Sequence, residues 1–160
     1  MDESLEIRVA TSDDEADVRE FLSGLSEETL RLRYMSGVPV VRPWMVDSVV
    51  HADHVLHEAL IARYQGRIVG IAEWGRYEPG DPEADIAVVV RDDCRRHGIA
   101  RKLLRRLAAN ALAHGVDTFG GTILSANRAS LALVHNVAPT KTVTLDGSTL
   151  DVKIPLRATA

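Results

Sequence analysis

The segment from residue 84 to residue 124 constrains the fold of this chain more than any other. It opens with ADIAVVVR (84–91), a nearly continuous apolar run typical of a central strand buried on both faces. Hydrophobic spacing predicts a helix from about Gly98 to His114, and DTFGGTIL (117–124) follows as a second strand. A strand, a long helix and a strand in this order predict two parallel strands joined by a right-handed crossover. We therefore expect an α/β (α+β) fold.

Hydrophobic periodicity and turn signals predict the other elements. Gln65-Gly66 and Asp146-Gly147 separate apolar runs, so hairpins are expected over 57–78 and at the end of the chain. SEET, from Ser26 to Thr29, predicts a capping box with its acid at the second or third helical position. The length suits one domain over residues 1–160. The remaining predictions are a strand over 5–10, helices over about 16–25, 26–34 and 127–137, and a helix after Pro43 in the irregular segment 38–56.

Positive charge is concentrated where the central strand meets the long helix. Residues 88–115 hold seven of the 19 lysines and arginines of a chain whose net charge is −4. Gly98 permits a close approach of the backbone, and the free N–H groups and dipole of a helix N-terminus favour an anion. Arg95, Arg96 and Arg101 add positive charge around that point. The turn is therefore predicted to bind a diphosphate, although it matches neither a Walker loop nor GxGxxG.

The bulk composition argues against several classes of function. A mildly acidic chain lacks the broad basic surface that non-specific nucleic-acid binding requires. No apolar run approaches the roughly 20 residues needed to span a bilayer, and the N-terminal sequence lacks the pattern of a signal peptide. The single cysteine, Cys94, excludes an internal disulfide, and its place beside the basic turn would favour its thiolate. We expect a cytoplasmic protein that binds neither nucleic acid nor membrane.

The basic turn resembles the acetyl-CoA-binding motif of the GNAT superfamily of N-acetyltransferases, Arg/Gln-x-x-Gly-x-Gly/Ala. Arg95, Gly98 and Ala100 fill its three defined positions. The motif precedes SANRAS, which is similar to the later Asn-x-x-Ser/Ala element of the family, with Asn127 and Ser130 in place. The order of elements is also similar, so the resemblance covers nearly the whole chain. LSEETLRLRYMS and ADIAVVVRDDCRRHGIARKLL look most like bacterial protein acetyltransferases that act on lysines of acyl-CoA synthetases.

The resemblance implies a GNAT fold, with a mixed, mostly antiparallel central sheet, one parallel crossover and flanking helices. It implies acetyl-CoA as the cosubstrate, no metal, and direct transfer of the acetyl group in a ternary complex. The backbone of Val88, Val89 and Val90 would bind the pantetheine arm as if it were an added strand. Asn127 and Ser130 would lie along the pantetheine side. The diphosphate would lie on Arg95, Arg96, His97, Gly98, Ile99, Ala100 and Arg101.

Acyl transfer to an amine needs a group that removes a proton, because the pKa of a lysine ammonium is about 10.4. The candidate bases are Glu73 in IAEWG, Glu83, and Asp85 in the central strand. The bacterial protein acetyltransferases carry a glutamate at the position of Asp85, which makes Asp85 the first choice. Because aspartate is one methylene shorter than glutamate, we expect a water molecule to relay the proton.

The leaving thiolate must also be protonated. Many GNAT enzymes use a tyrosine seven residues after the asparagine, and Val134 occupies that position here. The neighbouring His135 would face about 100° away on the helix, so it does not replace the tyrosine directly. Solvent is therefore expected to deliver this proton.

Five other residues that could bind a ligand are expected to have structural roles. His51, His54 and His57 suggest a metal site, but a third ligand does not fit the predicted helix and strand. We therefore expect exposed histidines near a turn. Trp44 and Trp74 are expected in the hydrophobic core.

Two alternatives to a protein lysine acetyltransferase stay open. The acceptor would be a small-molecule amine in one, and the other is a CoA-binding regulatory module without catalysis. An acidic rim around the acceptor entrance would favour a lysine on a folded partner, such as an acyl-CoA synthetase, because such a lysine has positive neighbours. The acids expected in this rim are Glu27, Glu28, Asp81, Glu83 and Asp85.

Overall fold

The computed structural model describes residues 5–35, 40–95, 97–137 and 142–156. Its strands are β1 (Glu6–Val9), β2 (His57–Tyr64), β3 (Arg67–Gly75), β4 (Glu83–Val90), β5 (Thr118–Leu124), β6 (Thr142–Asp146) and β7 (Thr149–Pro155). They form one seven-stranded sheet in the order β1-β2-β3-β4-β5-β7-β6. The β4–β5 pair is parallel and the other neighbouring pairs are antiparallel, which confirms the mixed sheet.

Helices flank the sheet close to their predicted positions. They are α1 (Glu15–Ser23), α2 (Glu27–Tyr34), α3 (Pro43–Val50), α4 (Ile99–Ala113) and α5 (Arg128–Val137). The long helix α4 connects the parallel strands, so the predicted crossover is confirmed. None of the helices in the described ranges is long and apolar enough to cross a membrane.

Both predicted hairpins occur, but the second one turns at Gly147-Ser148, one residue later than the expected Asp146-Gly147, because Asp146 is still paired with Thr149. Gln65 and Gly66 have φ angles of +52° and +79°, the left-handed values that a two-residue hairpin turn requires. Gly147 has a φ of +62° between β6 and β7. These turns fix the register of both strand pairs, and with it the face of the sheet on which each side chain lies.

Two hydrophobic clusters cover opposite faces of the sheet. On the α1 face, α1 and α3 pack against β2 and β3, and Val18, Ile61 and Ile71 are almost completely buried. On the α4 face, Leu103 and Leu107 of α4 are fully buried against the central strands. Burying an aliphatic side chain contributes about 1.5–3 kcal/mol to folding, so these clusters hold the helices in place.

The two tryptophans differ, and the expectation that both lie in the core is wrong for Trp44. Trp74 is fully buried, and its indole N–H donates to Asn110 Oδ1 over 2.8 Å. Trp44 is 58% exposed in the first turn of α3, where its ring meets Tyr34 edge-on at a centroid distance of 5.6 Å. The next residue, Met45, fills the core side of that turn, which leaves the indole facing outward.

The parallel strands separate after a short paired section. The pairs between β4 and β5 are Glu83–Thr118, Ala84–Phe119 and Asp85–Gly120. Beyond them β4 stays paired with β3 as far as Val90, and β5 stays paired with β7 as far as Leu124. The sheet therefore opens between β4 and β5, on the side where α4 begins.

Candidate active site

A cleft of about 890 Å³ lies in the opening between β4 and β5. This volume is within the range of about 300–1,000 Å³ that is usual for small-molecule sites. The cleft is bordered by both separated strands, the first turns of α4 and α5, and one side of α2. Its lining includes Ile86–Val90, Gly120–Leu124, Arg95, Gly98–Arg101, Asn127–Ser130, and Thr29, Leu32 and Arg33.

The N-terminus of α4 has the backbone that the predicted diphosphate turn requires. Gly98 is the N-cap residue with a φ of +78°, in the left-handed region that favours glycine. A Cβ atom at this position would meet nothing within 4 Å, so the space beside it is open. Arg95 and Arg101 line the cleft, whereas His97 is exposed and does not line it. Arg96 lies outside the described residues.

The residues predicted to contact the pantetheine arm also line the cleft. Val88, Val89 and Val90 lie in the part of β4 that has separated from β5. Asn127 caps α5, because its Oδ1 accepts the Ser130 backbone N–H over 3.2 Å. A capping role and a place beside the cleft are therefore both observed for Asn127.

The cleft carries a valine where a tyrosine would supply a proton. Val134 is buried in the cleft wall, and His135 is exposed and does not line the cleft. Cys94 lines the cleft, but the expectation of a favoured thiolate is wrong. Burial raises the pKa of the Cys94 thiol, and the hydrogen bond and charge of Asp93 raise it further. Asp93 rather than an arginine contacts the sulfur, so the local field opposes ionisation.

Glu73 is a buried carboxylate whose two oxygens already have partners. Arg33 Nη2 donates to Oε2 over 2.5 Å, and His57 Nε2 lies 3.0 Å from Oε1. Burial raises the pKa of Glu73, but the hydrogen bond of His57 and the charge of Arg33 outweigh burial and hold the pKa below its usual value. Such a carboxylate is a weak proton acceptor. Its geometry instead fixes the guanidinium of Arg33 against the cleft.

Asp85 projects from the same face of the sheet as Glu73 but has a different environment. In the register of β3 and β4, Glu73 faces Ala87, which is two residues from Asp85 on the same side of the strand. Burial raises the pKa of Asp85, and the charges of Glu83 and Asp151 raise it further. Asp85 is exposed at the rim beside the cleft, where its neighbour Ile86 lines the wall. A raised pKa suits a proton acceptor.

Gly120 of β5 leaves room for the carboxylates beside Asp85. A Cβ atom at this position would lie 3.2 Å from Asp85 Oδ1 and 3.2 Å from Glu83 Oε1. Lys153 on β7 pairs with Glu83, with Nζ 3.1 Å from Oε1. Both carboxylates therefore lie directly over β5, on the face opposite α4.

The predicted acidic rim is divided between two places. Glu83 and Asp85 lie together on the open sheet face, where Asp151 of β7 adds a charge that sequence reasoning missed. Glu27 and Glu28 are at the N-terminus of α2, which contacts the turn between β4 and α4 instead. The expected acids are therefore not gathered in one group, because α2 is oriented with its N-terminus toward that turn.

Four polar residues near the basic turn form a network that the sequence did not reveal. Asp92 accepts hydrogen bonds from the Ser26 N–H (3.0 Å), the Ser26 hydroxyl (3.2 Å) and the Thr29 hydroxyl (2.5 Å). Arg95 Nη2 donates to Thr29 Oγ1 over 2.8 Å and lies 3.4 Å from Asp92 Oδ1. Asp92 thus supplies the capping-box acid that was expected within the first turn of α2 itself.

Two of the three histidines near β2 contact carboxylates. Exposure was expected for all three, and it is found for His51 and His54, whereas His57 is half-buried. His54 Nδ1 lies 2.6 Å from Glu58 Oε1, and His57 Nε2 lies 3.0 Å from Glu73 Oε1. The possible ligand atoms of His51, Glu15 and Asp47 lie within 4.8 Å of one another. The last group is fully exposed, as many acidic clusters are, and it carries no metal assignment.

The cleft has the two kinds of group that acetyl-CoA requires. The separated edge of β4 exposes backbone N–H and C=O groups to a ligand that carries amides, as a peptide strand does. The N-terminus of α4, with its open glycine and two arginines, suits a diphosphate. The residues present therefore fit the molecule that the basic turn predicts.

Known proteins share this architecture. Residues 20–136 match the acetyltransferase (GNAT) family. The GNAT domain of S. lividans PAT superposes with a TM-score of 0.85 at 23% identity, over 94% of this chain and 90% of that one. The protein yncA of Salmonella typhimurium, solved with its cofactor acetyl-CoA, superposes with a TM-score of 0.75 at 21% identity, over 96% of this chain and 94% of that one. The diaminobutyrate acetyltransferase EctA of Paenibacillus lautus was solved with its substrate L-2,4-diaminobutyric acid and coenzyme A. It superposes with a TM-score of 0.68 at 24% identity, over 95% of each chain.

At these identities the superpositions establish the fold alone, whereas the family match covers most of the chain and includes both the basic turn and the separated strands. The matched residues include the turn before α4 and the strands β4 and β5, which are the elements that line the cleft. The chain therefore belongs to the acetyltransferase (GNAT) family and is an N-acetyltransferase that uses acetyl-CoA.

Proposed function

We propose that acetyl-CoA binds with its diphosphate on residues 95–101 and its pantetheine arm along Val88–Val90. The observation that carries this proposal is the separation of β4 from β5 directly beside the N-terminus of α4. The strand edge would hold the amides of the arm, and Asn127 and Ser130 would border it from α5. This arrangement would direct the thioester toward the face of the sheet that carries Asp85.

Asp85 is the proposed general base, acting through a water molecule. The acceptor ammonium would pass one proton to this water and the water one proton to the Asp85 carboxylate. The neutral amine then attacks the acetyl carbonyl carbon and the C–N bond forms, after which the nitrogen gives its second proton to solvent and the C–S bond breaks with the electron pair leaving on the thiolate. Solvent supplies the proton that the thiolate takes up, since Val134 has none to give.

The proposed acceptor is a lysine on a folded protein, such as an acyl-CoA synthetase. Glu83, Asp85 and Asp151 place three carboxylates on one sheet face, and Lys153 offsets one of these charges. A lysine with positive neighbours would be attracted to this face more strongly than a small amine with a single positive charge. The resemblance of the α2 and β4–α4 segments to bacterial protein acetyltransferases supports the same choice. We place the reaction in the cytoplasm on the sequence features alone.

The test compares acetyl transfer to a folded acyl-CoA synthetase with transfer to a polyamine and to 2,4-diaminobutyrate. We expect transfer to the protein to be faster and to slow markedly as salt is added. Reversing the charge at Asp151 (Asp151→Lys) should lower the rate on the protein, relative to the rate on 2,4-diaminobutyrate, whose net charge is small, by about tenfold at low salt. Glu20→Lys, an exposed position on α1, is the matched control and should leave this ratio unchanged.

The other two candidates would give different results. A high rate on a small amine, with no transfer to any protein lysine, would identify a small-molecule acetyltransferase. Tight binding of CoA with no thiol release on any acceptor would identify a regulatory module.

A further inference from the structure

We propose that Thr29 and Asp92 are positioning residues that hold the guanidinium of Arg95 ready for the diphosphate. This inference rests on the proposed binding of the diphosphate to residues 95–101. It assigns a role in cosubstrate binding to the N-terminus of α2, an element that is distant from the basic turn in sequence. The side chains involved come from two segments more than 60 positions apart.

The hydrogen-bond geometry gives Thr29 one consistent arrangement. Its hydroxyl proton goes to Asp92 Oδ1 over 2.5 Å, and its two oxygen lone pairs accept from Arg95 Nη2 over 2.8 Å and from the Ser26 hydroxyl over 2.9 Å. Thr29 is buried, so its hydroxyl has little access to competing water. The position of the guanidinium is therefore set by a fixed acceptor rather than by solvent.

Asp92 explains why this acceptor is fixed. A carboxylate beside a diphosphate site would repel the ligand if its charge were free. Here its oxygens accept from the Ser26 N–H, the Ser26 hydroxyl and the Thr29 hydroxyl, and Arg95 lies 3.4 Å away. Burial raises the pKa of Asp92, but the hydrogen bonds from Thr29 and Ser26 outweigh burial and keep the carboxylate ionised. The negative charge of Asp92 is thus offset by hydrogen-bond donors of the protein itself.

Arg95 keeps donors for a ligand while it is held in this way. A guanidinium has five N–H groups in a planar fork, and the bond to Thr29 uses one of them. The side chain remains partly exposed and lines the cleft. A side chain that is ordered before binding loses less conformational entropy when the ligand arrives, so the network should tighten CoA binding.

A double-mutant cycle on CoA binding, measured by calorimetry, tests the inference without an acceptor. Thr29→Val keeps the shape of the side chain and removes the hydroxyl. We expect it to raise the Kd for CoA about fivefold to tenfold, the effect of releasing one ordered side chain. In an Arg95→Ala background the same change should have no further effect, because the residue that Thr29 positions is gone. A merely structural role would weaken binding equally in both backgrounds.

Three further variants make the cycle interpretable. Thr29→Ser should restore most of the affinity, and Asp92→Asn should reproduce the loss caused by Thr29→Val. Glu28→Gln, at an exposed neighbouring position on α2, should bind CoA like the unmodified protein. Thermal unfolding of each variant without ligand shows whether the fold is intact.

The outcomes separate this inference from the proposal on which it depends. If Arg95→Ala weakens CoA binding and Thr29→Val has no effect, or the same effect in both backgrounds, the positioning role is overturned and the diphosphate site stands. If Arg95→Ala leaves the Kd unchanged, Arg95 does not contribute to diphosphate binding and the positioning role is overturned, whereas the diphosphate site itself is overturned only if Gly98→Glu also leaves the Kd unchanged.

Discussion

The two sides of the cleft are built in different ways. The side assigned to acetyl-CoA comes mainly from one continuous segment, residues 88–101, and relies chiefly on backbone groups, a left-handed glycine and a helix N-terminus. The side assigned to the acceptor is assembled from side chains on separate elements: Arg33, His57, Glu73, Asp85 and Asp151. The first side is specified by local sequence, and the second exists only after the chain has folded.

The acceptor side also contains two carboxylates that behave in opposite ways. Glu73 is buried between Arg33 and His57, and its pKa is held down. Asp85 lies near other acids, and its pKa is raised. When neighbouring titratable groups have their pKa values pushed apart, they serve different purposes. These opposite pKa shifts support the proposal that Glu73 has a structural role and that Asp85 takes part in proton transfer.

The largest loss of CoA affinity should come from a change on the acetyl-CoA side of the cleft, which relies on backbone groups. Gly98→Glu introduces a side chain at a φ of +78° and a negative charge where the diphosphate is expected. Like charges in contact cost several kcal/mol, so CoA affinity should fall by about a thousandfold or more. Thermal-shift and calorimetric titrations with CoA measure this loss.

Gly115→Glu is the matched control for that change. Gly115 also has a positive φ (+82°) and open space around it, but it lies at the other end of α4. Both variants carry the same backbone strain and the same charge. Equal CoA affinity in the two variants would show that the diphosphate does not bind at the Gly98 turn.

Glu73→Gln should mainly affect stability. It leaves the mostly buried charge of Arg33 without its partner, and breaking a buried pair in this way costs about 3–5 kcal/mol. Chemical denaturation at pH 7 measures the loss. Adding Arg33→Leu should recover much of it, because the unpaired charge is then removed. A stable Glu73→Gln protein with no activity would make Glu73 the base instead.

Asp85→Asn should mainly affect the chemical step. Loss of a general base lowers turnover by roughly a hundredfold or more, and the Kd for CoA should change little. Steady-state rates with saturating acceptor measure this effect. Glu83→Gln, two residues earlier on the same face, removes the same charge and should have a much smaller effect. If the two variants are equally impaired, Asp85 has no special role.

The smallest effect concerns the pH dependence of turnover. A base works when it is deprotonated, so the rate should fall as pH falls through the pKa of Asp85. Asp151→Asn removes one of the charges that raise this pKa, while Glu83 and Lys153 remain. The acidic limb of the pH profile should therefore move to lower pH with the same plateau. Asp146→Asn, on the edge strand β6, is the control, and an identical shift there would indicate a non-specific charge effect.

Most of the fold could be predicted because its signals are local. The apolar run of β4, the glycine before α4 and the spacing of apolar residues in the long helix all lie within one segment. The turns at Gln65-Gly66 and at Gly147 are also set by neighbouring residues. Short-range steric and hydrogen-bonding preferences determine these features, so a single sequence contains them.

The acceptor side and the network that holds Arg95 could not be predicted to the same depth, because their contacts are long-range. Asp92 and Ser26 are 66 positions apart, and Arg33 and Glu73 are 40 apart. Glu73 is in a strand and was a reasonable candidate base, yet its pKa is decided by partners that the sequence does not bring together. The exposed Trp44 has the same origin, since its outward direction depends on how α3 packs.

The short junction between β4 and β5 has a consequence for the abundance of the enzyme. Three residue pairs join the β1–β4 part of the sheet to the β5–β7 part, and the rest of that seam is open. A ligand that fills this opening binds the folded protein and stabilises it. When the ligand concentration is 100 times its Kd, the free energy of unfolding increases by about 2.7 kcal/mol. Cellular proteases degrade the unfolded fraction, so the lifetime of this protein would depend on how much acetyl-CoA the cell contains.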